Sequence, residues 1–368
     1  MVSRTSYALI VGISLVLQSG CRSRTTTAVG SERSWALEAA EGFGVITALE
    51  RCGDVLFIAD SHQQVRRVDL TTGKFLANLG CTTAFPTWLI ADCQHRQLFL
   101  ITAIPMRRGA AASVQAFNVD SGDLLREYPL PAQFLPRPGG RFEPPDSLVV
   151  SGLWVPPERS PADLLHVPAA RYYDGLRLGV RLSTETGATE PLLIPYETEC
   201  IGAGECPDVR VDAAVSVEGV RRVAGLPTST TIGVYDNNAA SPRLIDIRSP
   251  NYLRTGDKLE VTASVDARMR WSGQNSTVRN IFAFANTVVA VHARPQLGTD
   301  YHVGQPTPFS TYLNVYGWDG QLRVHDIALP DLAVGRDDKH VYAIDYGTEG
   351  HRDGATTIRL VQIQVEPD

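Results

Sequence analysis

The chain has 368 residues, a formal net charge of −6 and 20 % charged residues, the balance of an ordinary soluble surface. It offers no long Lys/Arg run, which excludes the electrostatic footprint of a nucleic-acid-binding domain. Gly 31 and Pro 23 are high for a helical protein, and few windows repeat apolar residues at helical spacing for three turns, so an all-β chain built from turns is expected.

The chain opens on a segment for export. Arg4 supplies a positive start, and Tyr7 to Leu17 is an apolar or small stretch, too short to span a bilayer comfortably and of the length of a signal core. It runs into Leu17-Gln18-Ser19-Gly20-Cys21, which resembles the lipobox of bacterial lipoproteins, whose cysteine is acylated and becomes the mature N-terminus. Gln18 stands where that family favours an aliphatic residue, and cleavage by an ordinary signal peptidase after Ala28-Val29-Gly30 is the other reading. The resemblance implies a signal and anchor over 1–21 with Cys21 lipidated, and so a membrane partner through the lipid. With Arg22 rather than aspartate after the cysteine, it implies an outer-membrane lipoprotein facing the periplasm or the surface. Residues 22–33 are mostly polar and small, which suits a flexible tether.

From there the chain reads as short strands. Ser34 to Ala39 is a spare strand-like segment. Val45 to Glu50, Val55 to Ala59, Val65 to Leu70 and Phe75 to Leu79 then form an antiparallel meander. In its turn Asp69-Leu70-Thr71-Thr72-Gly73-Lys74, Asp69 accepts local backbone N–H groups and Gly73 takes a positive φ. A second group runs from Trp88 to Leu130 with the turn Asp120-Ser121-Gly122-Asp123. A third, less regular, runs from about Asp146 to Tyr196, and a fourth from Val209 to Ile247. The fifth spans Val278 to Leu329 with Asp319-Gly320 as a hairpin turn, and the last, from Leu332 to Val365, has only three strands.

The alternation of VLFIADS, QVRRVDL and TTGKFLANLG with YLNVYGWDGQLRVHDIALP and HVYAIDYG resembles the bacterial six-bladed β-propellers of the NHL/TolB-like group, in particular lipoprotein-anchored propellers with no assigned activity. The resemblance implies a single six-bladed β-propeller over 34–368, with Ser34 to Ala39 completing the last blade and removing free sheet edges. It carries no catalytic motif, and fold does not imply function.

Two stretches interrupt the strand grammar. Residues 131–168 are dense in proline and read as an extended loop around the third blade. Residues 249–277 carry Tyr252, Arg254, Lys258, Arg268, Arg270 and Trp271. There two readings stand, a lid or partner contact through Arg254, Lys258, Arg268, Arg270 and Trp271, and a loop packed on its own blade.

Six cysteines are present, and an exported chain can keep disulfides. Cys200 and Cys206 enclose a short glycine-rich loop and are expected to pair. Cys52 and Cys93 each follow an inner strand of neighbouring blades and are expected to pair across them. Cys81 follows an outer strand on the opposite face, roughly 20 Å away, beyond disulfide reach, and is left free.

No nucleophile elbow, P-loop, dinucleotide fingerprint or HExxH spacing appears, and no catalytic residue is assigned. Glu50, Asp92, Asp146, Asp212, Asn280, Asn286 and Asp337 lie near inner-strand ends, where lactonase-like propellers hold calcium. Here they do not fall at one repeated position, so no metal or cofactor is assigned and calcium stays an alternative. His292, at the end of an apolar strand, reads as a structural residue. The function expected is an envelope-tethered binding or scaffold module for a protein, peptide or glycan. The alternative is a metal-dependent hydrolase of the lactonase kind.

Overall fold

The computed structural model describes residues 30, 32–79, 85–103, 112–156, 158, 176–192, 194, 210–216, 219–225, 230–236, 242–253, 270–271, 273–296, 309–330, 333–346 and 355–366. The chain is all-β: apart from a helical pair at 270–271, the regular elements described are strands. After β1 (Glu32–Phe43), the first antiparallel meander is β2 (Ile46–Cys52), β3 (Val55–Asp60), β4 (Val65–Asp69) and β5 (Lys74–Phe75). The second is β6 (Phe85–Asp92), β7 (Gln97–Ala103), β8 (Ser113–Asn118) and β9 (Leu124–Pro129). The third is β10 (Phe134–Glu143), β11 (Ser147–Trp154), β12 (Arg177–Ser183) and β13 (Thr189–Pro191). The fourth is β14 (Arg210–Ser216), β15 (Gly219–Gly225), β16 (Thr231–Asp236) and β17 (Arg243–Asp246), and the fifth is β18 (Thr277–Ala283), β19 (Thr287–Pro295), β20 (Phe309–Gly317) and β21 (Leu322–Leu329). β22 (Ala333–Arg336), β23 (His340–Asp345) and β24 (Ala355–Gln364) end the chain, and β1 pairs antiparallel with β24 from Glu32↔Ile363 to Phe43↔Ala355.

The strand expected at Ser34–Ala39 therefore exists and is longer at both ends. It starts at Glu32, inside the stretch read as tether, and Gly30 N–H already donates to Gln364 O at 2.7 Å. A short parallel pairing of β2 with β22, Leu49↔Gly335 and Glu50↔Arg336, joins two four-stranded groups into one eight-stranded sheet. Gly335 makes that approach possible: a Cβ there would lie 1.9 Å from the Leu49 carbonyl oxygen.

Burial explains the composition of the strands. β3 and β11 are buried at nearly every position, on both faces, and read as unbroken apolar runs. β9, at a sheet edge, exposes all but one of its six residues. The turn at Asp69 works as its residues require: Asp69 Oδ1 accepts from Thr71 N–H at 2.8 Å, and Gly73 has φ 68°. One core cluster links Phe57, Phe99, Phe117, Leu148, Phe282 and Val341, residues from four of the meanders and the closing strands.

The proline-rich stretch is corrected. Within the described part of what was read as loop, Phe134–Glu143 and Ser147–Trp154 form β10 and β11, and the third meander begins at Phe134 rather than near Asp146. Prolines are tolerated there for two reasons. β10 pairs with β11 alone, so its other side needs no ladder N–H, and Pro138 falls in a register shift between Pro136 and Gly140. Gly140, at φ 129°, ends that bulge; a Cβ there would meet the Val149 carbonyl oxygen at 2.2 Å.

Cys52, at the end of β2, and Cys93, in the turn after β6, form a disulfide with Cα atoms 5.4 Å apart across a sequence separation of 41. It ties the first meander to the second. Cys21, Cys81, Cys200 and Cys206 lie outside the described residues, as do Arg254, Lys258 and Arg268. The described ends of 249–277 pack against the fifth meander. Ser276 N–H donates to Leu253 O at 2.9 Å, Leu253 N–H to Ser276 Oγ at 2.8 Å, and the Tyr252 ring meets the His292 ring edge-on at 5.2 Å. Trp271 is buried, so this residue packs the segment rather than presenting a contact surface, while Arg270 beside it is exposed.

Candidate functional site

β2, β6, β10, β14, β18 and β22 are the first strands of successive groups. Each lies against the next in that order, and β22 returns to pair with β2. Where they approach one another, strands from four groups place charged side chains at one locus: Glu50 on β2, Arg141 on β10, Asp212 on β14 and Arg336 on β22. Asp337 and Asp338 join from the turn that follows β22.

Arg336 and Asp212 are both buried and form the centre of this group, with Nη2 to Oδ1 at 2.7 Å. Between them they hold β18 by one residue: Ala283 N–H donates to Asp212 Oδ2 at 2.9 Å, and Arg336 Nη1 donates to the Ala283 carbonyl. The guanidinium also lies over the Phe284 ring, 5.2 Å from its centroid. Burial, with Arg141 nearby, lowers Arg336 to about 10 despite Asp212.

Arg141 pairs with Asp338, and Arg51 pairs with Asp337 at 3.4 Å. Asp337 is the more heavily bonded carboxylate. It accepts from Lys339 N–H and His340 N–H, each at 2.8 Å, and from the Tyr342 hydroxyl at 2.6 Å. Burial alone would raise it, but the hydrogen bonds from His340 and Tyr342 hold it at about 2. Burial and the neighbouring Asp337 push the Tyr342 phenol far above its ordinary range.

Glu50 differs from the rest. It is 7 % exposed and has no hydrogen-bond partner among the described residues. Burial pushes its carboxyl up to about 8; Arg141 and Arg336 pull the other way, and Asp212 and Asp337 add to the rise. Near neutrality this side chain therefore keeps its proton in the folded chain.

Of the acids and amides read from sequence, Glu50, Asp212 and Asp337 come together here. Asp92 instead bonds His95 Nδ1 at 2.6 Å, and the Asn286 side chain donates to Glu366 at 3.0 Å. Asp146 lies in the turn before β11, where its carbonyl accepts from Thr184 N–H at 2.7 Å. Sequence reading missed Arg141, Arg336 and Asp338. Arg141 was hidden because its strand was taken for a proline loop, and nothing in spacing marks an arginine that reaches another sheet. A second inter-sheet grip was equally silent: the buried Glu143 accepts from Arg222 Nε at 3.0 Å and Nη2 at 2.8 Å. His292 is fully buried between the rings of Tyr252 and Tyr312 and lowered to about 4 by burial.

Chemically the locus is a set of matched ion pairs with one extra carboxyl. The Asp212 oxygens accept from Arg336 and Ala283, and those of Asp337 are bonded by three side chains, Arg51, His340 and Tyr342, and two backbone groups. Those carboxylates are spent on the protein's own donors. Among the described residues no three His, Cys, Asp or Glu side chains gather in a way that could hold a metal ion.

No family model matches the chain, and no curated protein matches it. Among solved structures it is similar to the crystal structure of a member of the DUF4221 family from Bacteroides vulgatus ATCC 8482. The TM-score is 0.62 at 11 % identity, covering 93 % of this chain and 98 % of that one. The likeness is one of fold. Weaker likenesses are to the structure of U3-55K (TM-score 0.49, 10 % identity, 90 % of this chain and 98 % of that one) and to Kuenenia stuttgartiensis hydrazine synthase (0.46, 12 %, 83 % and 74 %), and neither carries an argument.

Proposed function

We propose that the chain is an envelope-tethered, six-bladed β-propeller that serves as a binding or scaffold module for a protein, peptide or glycan. The six-bladed ring is supported by the succession of first strands from β2 round to β22, by the β2–β22 pairing, and by β1 seated on β24 as the fourth strand of the last group. The N-terminal strand then fastens the ring, and the charged locus lies on its axis. The tether is supported by the lipobox-like run that ends in Cys21.

Binding rather than metal-assisted hydrolysis rests on one observation: Asp212 and Asp337, the carboxylates a channel metal would need, are saturated by arginine, tyrosine and backbone donors. The test is elemental analysis of the purified full-length protein, dialysed without chelator, with melting measured before and after chelation. The module reading expects no stoichiometric metal and an unchanged melting curve. One equivalent of calcium, with melting that falls on chelation, would replace it by the lactonase-like reading. The anchor has its own test: Cys21→Ser abolishes acyl labelling and releases the protein from membranes, whereas cleavage after Gly30 would leave both unaffected by the substitution.

A further inference from the structure

His292 on β19 is 0 % exposed, and neither Nδ1 nor Nε2 meets a partner at hydrogen-bonding geometry among the described residues. Its ring is seated between two others. Tyr312 on β20, its partner in the strand register, stacks on it with centroids 5.6 Å apart. Tyr252, in the segment before β18, meets it edge-on at 5.2 Å. Around that contact the segment is fixed to the fifth meander by polar bonds: Asn251 Oδ1 accepts from Arg294, and the Ser249 hydroxyl donates to Asp326. Leu253 N–H donates to Ser276 Oγ at 2.8 Å, and Ser276 N–H to Leu253 O at 2.9 Å. We propose that His292 is an acid-sensitive latch, which as a neutral ring seats residues 249–253 and 276 on the fifth meander and on taking up a proton from solvent releases them.

The physical reason lies in what the seat offers each form of the ring. A neutral imidazole has one N–H donor and an apolar body that packs between tyrosines. The cation adds a second N–H and a full charge, and a site without acceptors or water makes both costly. Moving Tyr252 away brings water to the ring and removes that cost.

The neighbouring groups do not supply the missing compensation. Asp326 on β21 is the carboxylate that acts on the ring, and it already takes the Ser249 hydroxyl, with the exposed His325 3.7 Å from its other oxygen. Arg294, two residues along β19, is itself a cation and turns to Asn251. β18 sets the apolar Val278 in register with His292, and Arg279 beside it lies over the Phe309 ring. From β20 come Tyr312 and, further along, Tyr316, whose hydroxyl accepts from Arg248 N–H at 3.2 Å. Asp326 and the Asn251 backbone favour the charged ring, but burial outweighs them and holds it at about 4 rather than 6.5. A group lowered in this way contributes its full stability above 6.5 and loses it as the pH falls toward 4. Within that window each pH unit favours release by about tenfold.

The latch stands apart from the module reading and holds whether or not the chain binds a partner. The test is amide hydrogen exchange on the full-length protein, corrected for the intrinsic rate at each pH, at Leu253 and Ser276, with Leu89 and Leu100 in the β6–β7 ladder as the reference. From about pH 7 to about pH 5, protection at Leu253 and Ser276 is expected to fall by about 20-fold while the reference pair holds. His292→Phe, which keeps a ring in the slot and cannot take a proton, should abolish the fall. Unchanged protection in the wild type, an equal fall in His292→Phe, or an equal fall at Leu89 and Leu100 overturns the latch. Should the variant fail to fold, the shape of the wild-type curve decides. A fall that begins near the ordinary histidine value of 6.5 upholds it, and one that begins only below about pH 5 belongs to carboxylates and overturns it.

Discussion

Glu50→Gln is a substitution whose effect on stability changes with pH. In the unfolded chain the carboxyl titrates near its ordinary 4.5, and in the folded chain burial holds it at about 8. Between those values the native state keeps a proton that the unfolded state has lost, so rising pH favours unfolding by about 1.4 kcal/mol per unit. The stability that a protonated Glu50 leaves intact is fully present below 4.5 and declines until the folded carboxyl itself ionises near 8. Glutamine has the same shape and no charge, so it removes this slope. Urea unfolding of both proteins at about pH 5, 6, 7 and 8 is the assay. Relative to wild type, Glu50→Gln is expected to be nearly neutral at the acid end and more stable by roughly 3 kcal/mol at neutrality. A difference that stays flat across the window, or that favours wild type increasingly with pH, would refute the argument. The second outcome would mean that an ionised Glu50 has a partner in the folded chain.

Three further outcomes follow from the same geometry. Reducing the Cys52–Cys93 bridge, or replacing both cysteines by serine, frees a loop with a sequence separation of 41 and is expected to lower stability by about 4 kcal/mol in the chain-entropy model, measured by denaturant unfolding; a change under about 1 kcal/mol would show that the bridge adds little. Gly335→Ala places a Cβ 1.9 Å from the Leu49 carbonyl oxygen. It should separate β22 from β2 at a cost of several kcal/mol, seen as faster amide exchange at Leu49 and Glu50, and wild-type exchange there would contradict it. Asp212→Ala leaves the Arg336 guanidinium buried without its carboxylate and orphans Ala283 N–H. A loss of about 3–5 kcal/mol is expected, while Asp212→Ala with Arg336→Met should recover part of it.

The sequence by itself determined the strand content and much of its placement. Short β-branched runs broken by Asp and Gly turns, such as VLFIAD before Gln63 or the Asp69–Gly73 turn, specify meanders through local chemistry alone, because turn conformation and period-two burial are read within a few residues. The spare strand at Ser34–Ala39 and the Cys52–Cys93 pair were also legible, since both follow from counting strands and assigning ends. Pro136 and Pro138 misled the reading because proline's missing N–H argues against an interior strand, and only the sheet order shows that β10 has a free side to spare it. Tertiary structure alone decided the site. Glu50, Arg141, Asp212 and Arg336 lie on four different strands far apart in the chain, and a pairing such as Arg336–Asp212, 124 residues apart, leaves no trace in spacing. A carboxyl's proton affinity depends on how much water and how many charges surround it, and those are fixed only when the first strands converge.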